Sequence, residues 1–366
     1  MEATKPRTVS SIGMFDMLKG AGMLSIILAH TVELYPIQTS GGLSLTAFLP
    51  YIYRESLMAA FFIASGYGFR KRSIRKCIEQ QLKTLLKPYL WTMGFTCVLH
   101  FIIHYRCFHY LPGTVGESIK VTGGFLLGLP HTASYAGHEF FSCGPMWYLL
   151  TLLVAWIFLD AILNIFPEQY IPGAVVCCAV LGWGCSLVWE LPFCLIQGAV
   201  AVPYLYLGFL AKKHHLLDQL LSPKQKAGLL AATALIAVGA AATLTTDCIS
   251  MGQWSLGPVS IFLDGAAGLL FIRLFLRWSR YRGPVVQFLE AIGRRSLHIF
   301  CVHTVELIAI PWYLFAAKFS TRPVLGMWLQ FALSLGSIWL VCLLLQARRD
   351  LIIRRAPAKR RSPAKH

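Results

Sequence analysis

The sequence predicts an all-α integral membrane protein, in which about ten transmembrane helices form one bundle with both termini in the cytoplasm. Three observations predict this fold class. Of the 366 residues, 56% are hydrophobic and only 13% are charged, whereas a soluble domain carries roughly a quarter charged residues. Apolar runs of about twenty residues, the length that crosses a hydrocarbon core, recur along the chain. Lys and Arg are concentrated in alternate loops between these runs.

The apolar runs give the individual transmembrane helices. They cover residues 12–35, 43–69, 88–105, 145–163, 172–189, 192–211, 226–246, 256–276, 285–312 and 325–347. Polar interruptions in the second and ninth runs indicate broken or tilted helices. The longest segment outside the runs is an outer loop from Tyr105 to Gly144, in which the apolar sequence GGFLLGLP is a candidate to dip back into the membrane.

The positive charges orient the bundle. With the N-terminus inside, the cytoplasmic loops hold 28 of the 33 Lys and Arg residues, as expected when positive charge is retained on that side. The net charge of +17 therefore follows from topology, so we predict no nucleic-acid partner and expect contact with anionic membrane lipid. We divide the chain into a transmembrane domain, residues 1–347, and a basic cytoplasmic tail, residues 348–366.

The first helix, SIGMFDMLKGAGMLSIILAHTVELYP, carries the leading candidate site, because ionisable groups inside a membrane need a cavity or a partner. Lys19 and His30 are eleven residues apart, which places them on one helix face about 16 Å apart along the axis. Gly20 and Gly22 permit close approach of a neighbour or ligand. We expect His30 to act as a general base supported by Glu33; a histidine that only hydrogen-bonds another helix is the alternative.

A second candidate site follows the run FFIASGYGF, in the basic stretch RKRSIRKCIEQQLKTLLKPYLW. The sequence predicts a cytoplasmic loop here, with Lys83 and Lys87 on one helical stripe, before a helix restarts at Pro88. Its cations include Arg72, Arg75, Lys83 and Lys87. One interpretation is a loop that only orients the protein, and the other is an anion site for a multiply phosphorylated ligand.

These segments together resemble the acyltransferase-3 family, membrane enzymes that O-acylate sugars and other envelope molecules. Lys19 stands where that family usually has arginine, and His30 stands at its histidine. Further family elements are similar to FFIASGYGF, LKTLLKPYLW, GPMWYLLTLLVAW, VPYLYLGFLAKKH and AIGRRSLHIFCVHTVEL. The matches occur in family order and span residues 16 to 303, about four-fifths of the chain. Lysine at position 19 keeps the charge but lacks the two-pronged geometry of arginine.

The resemblance implies a multi-pass enzyme of the plasma or inner membrane that uses acyl-coenzyme A, usually acetyl-coenzyme A, as its cytoplasmic donor. The acceptor would be a hydroxyl of a cell-envelope glycan or a small molecule, with a separate extracytoplasmic partner as a further expectation. Lys19, Arg72, Arg75, Lys83 and Lys87 would bind the phosphates of the donor. His30 would act as a base or as a transient acyl carrier, and the sequence leaves both routes open.

Four residues are candidates for binding the acceptor. Trp147 and Tyr148 match the Trp-Phe/Tyr-Leu helix of the family, although aromatic anchoring at the membrane interface is an equal alternative. Glu139 lies in the outer loop, and His303 matches the histidine of the Ser-Leu-x-Ile-Tyr-x-x-His signature. We predict no metal site, because the one histidine pair with suitable helical spacing has no third ligand nearby.

A proton-coupled secondary transporter of a small anionic or sugar-like solute is the alternative from another functional class. Intramembrane histidines, acidic residues and interrupted spans are typical of such carriers as well. Against this alternative, no internal duplication relates the two halves of the chain. Binding of acyl-coenzyme A that depends on Arg72 and Arg75 would distinguish the two classes.

Overall fold

The computed structural model describes residues 12–35, 57–217, 247–281 and 283–355, together with residues 227, 228 and 231. Within these residues the fold is almost entirely helical, with one two-stranded hairpin. Six described helices are long and apolar enough to cross a membrane, and three shorter apolar helices accompany them. The multi-pass helical membrane class is thus confirmed, whereas the count of ten crossings and the cytoplasmic position of both termini stay predictions.

The described helices are numbered in chain order. The first part of the chain forms α1 (Asp16–Val32), α2 (Leu57–Tyr67), α3 (Ile74–Gln81), α4 (Lys87–Phe108), α5 (Leu111–Leu127), α6 (Trp147–Ile165) and α7 (Ile171–Ser186). The second part forms α8 (Leu195–Lys213), α9 (Pro258–Trp278), α10 (Pro284–Gly293), α11 (Ser296–Ala309), α12 (Trp312–Ala317) and α13 (Pro323–Arg355). Strands β1 (Ala133–Tyr135) and β2 (His138–Phe140) pair antiparallel, with Ala133 opposite Phe140.

The basic stretch is helical from Ile74 onward, so a loop that extends to Pro88 is wrong, although residues 70–73 are not helical. α3 continues through a π-helical turn, Leu82–Leu86, into α4, and one helix runs from Ile74 to Phe108. Pro88 lacks a backbone N–H, and its ring would crowd the carbonyl four residues earlier in a regular helix. In the wider turn the Lys87 N–H bonds to the Leu82 carbonyl, five residues back, and this local change accommodates the proline.

The segment from Tyr105 to Gly144 also contains more regular secondary structure than the outer loop that the sequence predicts. α5 runs antiparallel to α4: His104 Nδ1 lies 3.0 Å from Thr114 Oγ1, and the Tyr89 hydroxyl donates to the Phe125 carbonyl at 2.5 Å. The end of α5 therefore returns about 22 Å along α4. GGFLLGLP forms the C-terminal end of this returning helix, which stops at Gly128 in a left-handed conformation with φ of +60°.

The ninth apolar run is broken, as its polar interruptions predicted. It forms α10, α11 and α12, with breaks at residues 294–295 and 310–311. Most of the run at 226–246, and the first half of the run at 43–69, lie outside the described residues. The remaining runs coincide with described helices to within a few residues, except that α13 continues beyond residue 347 to Arg355.

Glycines allow α1 to pack against α10 with almost no gap. A Cβ atom on Gly20 would overlap the Leu289 carbonyl, and one on Gly293 would overlap the Asp16 carbonyl. Gly22 faces the ring of Phe61 on α2 at similarly close range. The predicted close approach at Gly20 and Gly22 is therefore confirmed. α1 also contacts α11 and α13, and α11 packs along α4, so the first helix lies beside the C-terminal signature helix.

Candidate active site

A cavity of about 420 Å³ lies between α1, α2, α6, α11 and the helix formed by α3 and α4. The side chain of Lys19 lines it, with its Nζ 3.2 Å from Asp16 Oδ1. Most of the wall is apolar, including Met23, Ile26, Met58, Phe61, Leu152 and Phe300. A cavity with a cation and long apolar walls suits a ligand that has a charged group and an extended arm.

Two of the helices that line this cavity, α1 and α11, each lead to a histidine. On α1 the cavity is lined by Lys19, Met23 and Ile26, and His30 follows on the same helix face. On α11 it is lined by residues 296, 297 and 300, and His303 follows Phe300 by three residues. Both histidines therefore lie about one helical turn, roughly 5 Å, beyond the last cavity-lining residue of their helix.

His30 and His303 face each other across the α1–α11 contact. Their ring centroids are 5.6 Å apart, and the ring planes are inclined by 38°. The side chain of His30 is 31% exposed, whereas that of His303 is 2% exposed. His30 Nδ1 lies 3.5 Å from Glu33 Oε2, at the outer limit of a hydrogen bond. The more accessible histidine is thus the one on the first helix.

His303 is held by a buried carboxylate. Its Nδ1 lies 3.2 Å from Glu306 Oε2, and Ser334 of α13 donates a hydrogen bond to Glu306 Oε1 at 2.7 Å. Because a carboxylate only accepts, Nδ1 carries the hydrogen and Nε2 carries a lone pair. Nε2 is buried and has no hydrogen-bond partner among the described residues. Sequence reasoning missed Glu306 and Ser334, although the His–Glu spacing of three residues at His30 recurs at His303.

Tyr148 lines the cavity, and Trp147 packs behind it. The Tyr148 ring centroid lies 4.8 Å from that of Phe62 on α2, and Ser65 of α2 lines the same cavity. The Trp147 ring meets the Tyr148 ring edge-on, with centroids 6.3 Å apart, and is not among the cavity-lining residues. Tyr148 and Ser65 therefore place two hydroxyl groups in an otherwise apolar part of the wall.

Arg72 lies close to the cavity at the end of α6. Its backbone N–H donates to Asp160 Oδ1 at 3.1 Å, and its carbonyl accepts from Asn164 Nδ2 at 2.8 Å. Asp160 follows the cavity-lining Trp156 by about one turn of α6. The Arg72 Nη1 atom is buried, and no hydrogen-bond partner for it exists in the described part of the chain. A buried guanidinium nitrogen without a partner is a candidate donor to an anionic ligand.

The other cations of the basic stretch face outward. Arg75, Lys83 and Lys87 are exposed, and Arg75 Nε lies 3.1 Å from Glu79 Oε1. None of the three lines the cavity; the residues of this helix that do so are Gln80, Gln81, Thr84 and Leu85. Arg75, Lys83 and Lys87 therefore lie on the same helix as the cavity wall but on another face.

Comparison with known families decides the class of protein. The acyltransferase-3 family model, described as an acyltransferase domain, matches residues 12–347. The chain belongs to this family. No curated protein and no solved structure matches the chain significantly. The resemblance predicted from the motifs is confirmed, and the protein is a multi-pass membrane acyltransferase. Family membership does not favour the transporter alternative.

Glu139 lies apart from the cavity of this acyltransferase. It is exposed on β2, and its carboxylate lies 3.5 Å from the Nζ of Lys120 on α5. It neither lines the cavity nor contacts the two histidines in the described structure. Among the described residues, no group of three or more His, Cys, Asp or Glu side chains could hold a metal ion.

The arrangement has the parts that acyl transfer to a hydroxyl needs. An accessible imidazole can take a proton from a hydroxyl or accept an acyl group itself. His30 is such an imidazole, and its neighbour His303 is supported by a buried carboxylate. The structure thus brings Lys19 and Tyr148 together at the cavity, and His30 and His303 together beyond it.

Proposed function

We propose that this acyltransferase moves an acyl group, acetyl in the simplest case, from cytoplasmic acyl-coenzyme A to a hydroxyl of a cell-envelope glycan or a related small-molecule acceptor in the plasma or inner membrane. The observation that carries this proposal is the cavity that extends along α1 from Lys19 to the turn before His30. A donor that enters from the cytoplasm needs such a path to a reacting group deep in the bundle.

The charges around the cavity support acyl-coenzyme A as the donor, because this molecule combines phosphate groups with a long, thin arm that ends in the thioester. Lys19 lines the cavity, and α11 begins on its wall at Ser296, where the N-terminal N–H groups carry partial positive charge. A phosphate oxygen would satisfy the buried Arg72 Nη1, which lacks a partner among the described residues. The exposed cations Arg75, Lys83 and Lys87 would attract the same phosphates over a longer range.

His30 is suited to the reacting step because it is partly accessible and lies one turn beyond the cavity. As a general base it takes the proton of the acceptor hydroxyl while the oxygen attacks the thioester carbonyl. In the second route, His30 takes the acyl group as an acyl-imidazole and passes it to the hydroxyl. Glu33, whose Oε2 lies 3.5 Å from His30 Nδ1, would stabilise the charged imidazole in either route.

The experiment that tests this proposal follows radiolabel from acetyl-coenzyme A into envelope fractions of membranes that contain wild type or His30→Ala. We expect transfer to fall by about 10²–10⁴-fold in His30→Ala, the range that a general base contributes. His298→Gln, which alters an exposed histidine of α11, is the matched control and should transfer like wild type. The labelled fraction identifies the acceptor class. The proposal is wrong if wild type neither transfers label nor binds any acyl-coenzyme A.

A further inference from the structure

The pentapeptide HTVEL occurs twice in the chain, at residues 30–34 and 303–307. In each copy the histidine and glutamate are three residues apart, so a helix places them on one face. His30 Nδ1 lies 3.5 Å from Glu33, and His303 Nδ1 lies 3.2 Å from Glu306. The fold brings the two copies face to face, with the imidazole centroids 5.6 Å apart. Two His–Glu pairs from distant parts of the chain thus form one cluster.

We propose that His303 and Glu306 are positioning residues that act through His30 and hold the proton that His30 removes from the acceptor hydroxyl. The inference rests on the proposed O-acyl transfer and describes the path of its proton. The histidines of the two HTVEL copies differ in solvent exposure, and this difference gives them different roles. His30 is 31% exposed and can meet a ligand, whereas His303 is 2% exposed and reaches the reaction only through its neighbour.

The contacts of Glu306 prepare His303 to receive a proton. Ser334 and His303 Nδ1 occupy one carboxylate oxygen each, which fixes the carboxylate and leaves His303 Nε2 as the basic nitrogen. Nε2 is buried without a hydrogen-bond partner in the described part of the chain, a state that is unfavourable for a polar atom. If His30 donates a proton to Nε2, this atom gains a hydrogen-bond partner, and the carboxylate of Glu306 balances the new charge in surroundings of low dielectric constant.

The groups around His303 are consistent with this role. Burial and the neighbouring His30 of α1 oppose a positive charge on His303, whereas Glu306 from its own helix favours one. α13 contributes the uncharged Ser334, which donates to Glu306. Glu306 is therefore the negative charge that directly contacts His303 among the described residues, and it would stabilise a proton that His303 accepts from His30.

The proton that leaves the acceptor hydroxyl ends on the thiol of coenzyme A, so the reaction neither gains nor loses a proton. The O–H bond of the acceptor breaks as its oxygen bonds to the acyl carbon, and His30 takes the proton. The proton passes to His303 Nε2 and forms an imidazolium that pairs with Glu306. When the C–S bond of the donor breaks, the thiolate of coenzyme A receives this proton back through His30. The products are an ester and a free thiol, and both histidines return to their starting state.

The test measures acetyl transfer from labelled acetyl-coenzyme A in membranes that contain the full chain, over a range of donor concentration and pH. For His303→Gln and Glu306→Gln we expect kcat to fall about 10- to 100-fold, the range seen when an outer-shell partner of a metal-binding histidine is removed. KM for acetyl-coenzyme A should stay unchanged, because neither residue lines the cavity. In Glu306→Gln the acidic limb of the kcat–pH profile should move to lower pH, because the charge that favours the protonated pair is gone.

His298→Gln on the same helix is the control and should keep the kcat and pH profile of wild type. If His303→Gln and Glu306→Gln do not accumulate in the membrane, Ser334→Ala tests the inference instead. This substitution removes the hydrogen bond to Glu306 Oε1 and leaves His303 and Glu306 in place. A lower kcat with unchanged KM in Ser334→Ala supports the inference.

Transfer within twofold of wild type in the folded variants, with an unchanged pH profile, would overturn the inference. The proposed function would survive that result if His30→Ala still abolished transfer. If the wild-type protein neither transfers acetyl nor binds the donor, the proposed function itself is refuted. Failure of the inference and failure of the proposed function are therefore distinguishable.

Discussion

Replacing Gly20 by alanine should disturb the active site without touching any proposed reacting group. The added Cβ would overlap the Leu289 carbonyl of α10, a backbone atom that cannot rotate away. The Cβ would lie 1.9 Å from this oxygen, so restoring ordinary contact near 3.5–4 Å requires α1 and α10 to separate by roughly 2 Å. Overpacking of this kind costs about 1–3 kcal/mol of stability. Since α11 follows α10 directly, the shift also changes the His30–His303 distance.

We expect Gly20→Ala to impair acetyl transfer more than it impairs the stability of the fold. A displacement of about 1 Å at a reacting group can lower a rate on the order of 10²-fold. We therefore expect kcat for acetyl transfer to fall by about that factor, with a lower melting temperature in detergent. Gly94→Ala is the matched control, because a Cβ at this glycine of α4 meets no atom within 4 Å. Wild-type activity and melting temperature in Gly20→Ala would refute the close α1–α10 packing.

Two further predictions concern single contacts. Tyr35→Phe removes the hydrogen bond from the buried Tyr35 hydroxyl to Gln330 Oε1, 2.7 Å long, and should lower the free energy of unfolding by about 1–3 kcal/mol, measured by denaturant titration in micelles. An unchanged unfolding free energy would contradict this contact. Arg72→Gln should weaken equilibrium binding of acyl-coenzyme A about 10- to 100-fold, because one charge-assisted hydrogen bond is lost. Arg106→Gln, an exposed change at the far end of α4, should bind like wild type, and equal affinity in both variants would exclude Arg72 from the donor site.

Much of the fold follows from the sequence because lipid selects long apolar helices. Hydropathy and charge predict the membrane class, most helix positions and the break in the ninth run. They do not predict that one continuous helix begins at Ile74 in the basic stretch, nor that α5 returns along α4, because charged and mixed-polarity segments can form helices when a neighbouring helix covers one face. Tyr89 and Phe125 provide such a contact between α4 and α5.

The amino-acid composition of a membrane helix also does not reveal which of its faces is functional. Lipid-facing and protein-facing side chains are both apolar, so periodicity does not reveal which helices are neighbours. Ionisable residues are the exception, since a charged group in a membrane needs a partner or a cavity. Lys19 and His30 were therefore recognisable from their spacing on one helix, whereas the cavity wall built from α2, α6 and α11 was not.

The sequence by itself determined the membrane class, the family and the presence of two HTVEL motifs with histidines 273 residues apart. Only the tertiary structure decided that these motifs meet, with imidazole centroids 5.6 Å apart, and that Ser334 completes the contacts of Glu306. Local spacing fixes which residues share a helix face. Which faces meet depends on the close packing of whole helices, here permitted by Gly20 and Gly293, and that information is distributed over the entire bundle.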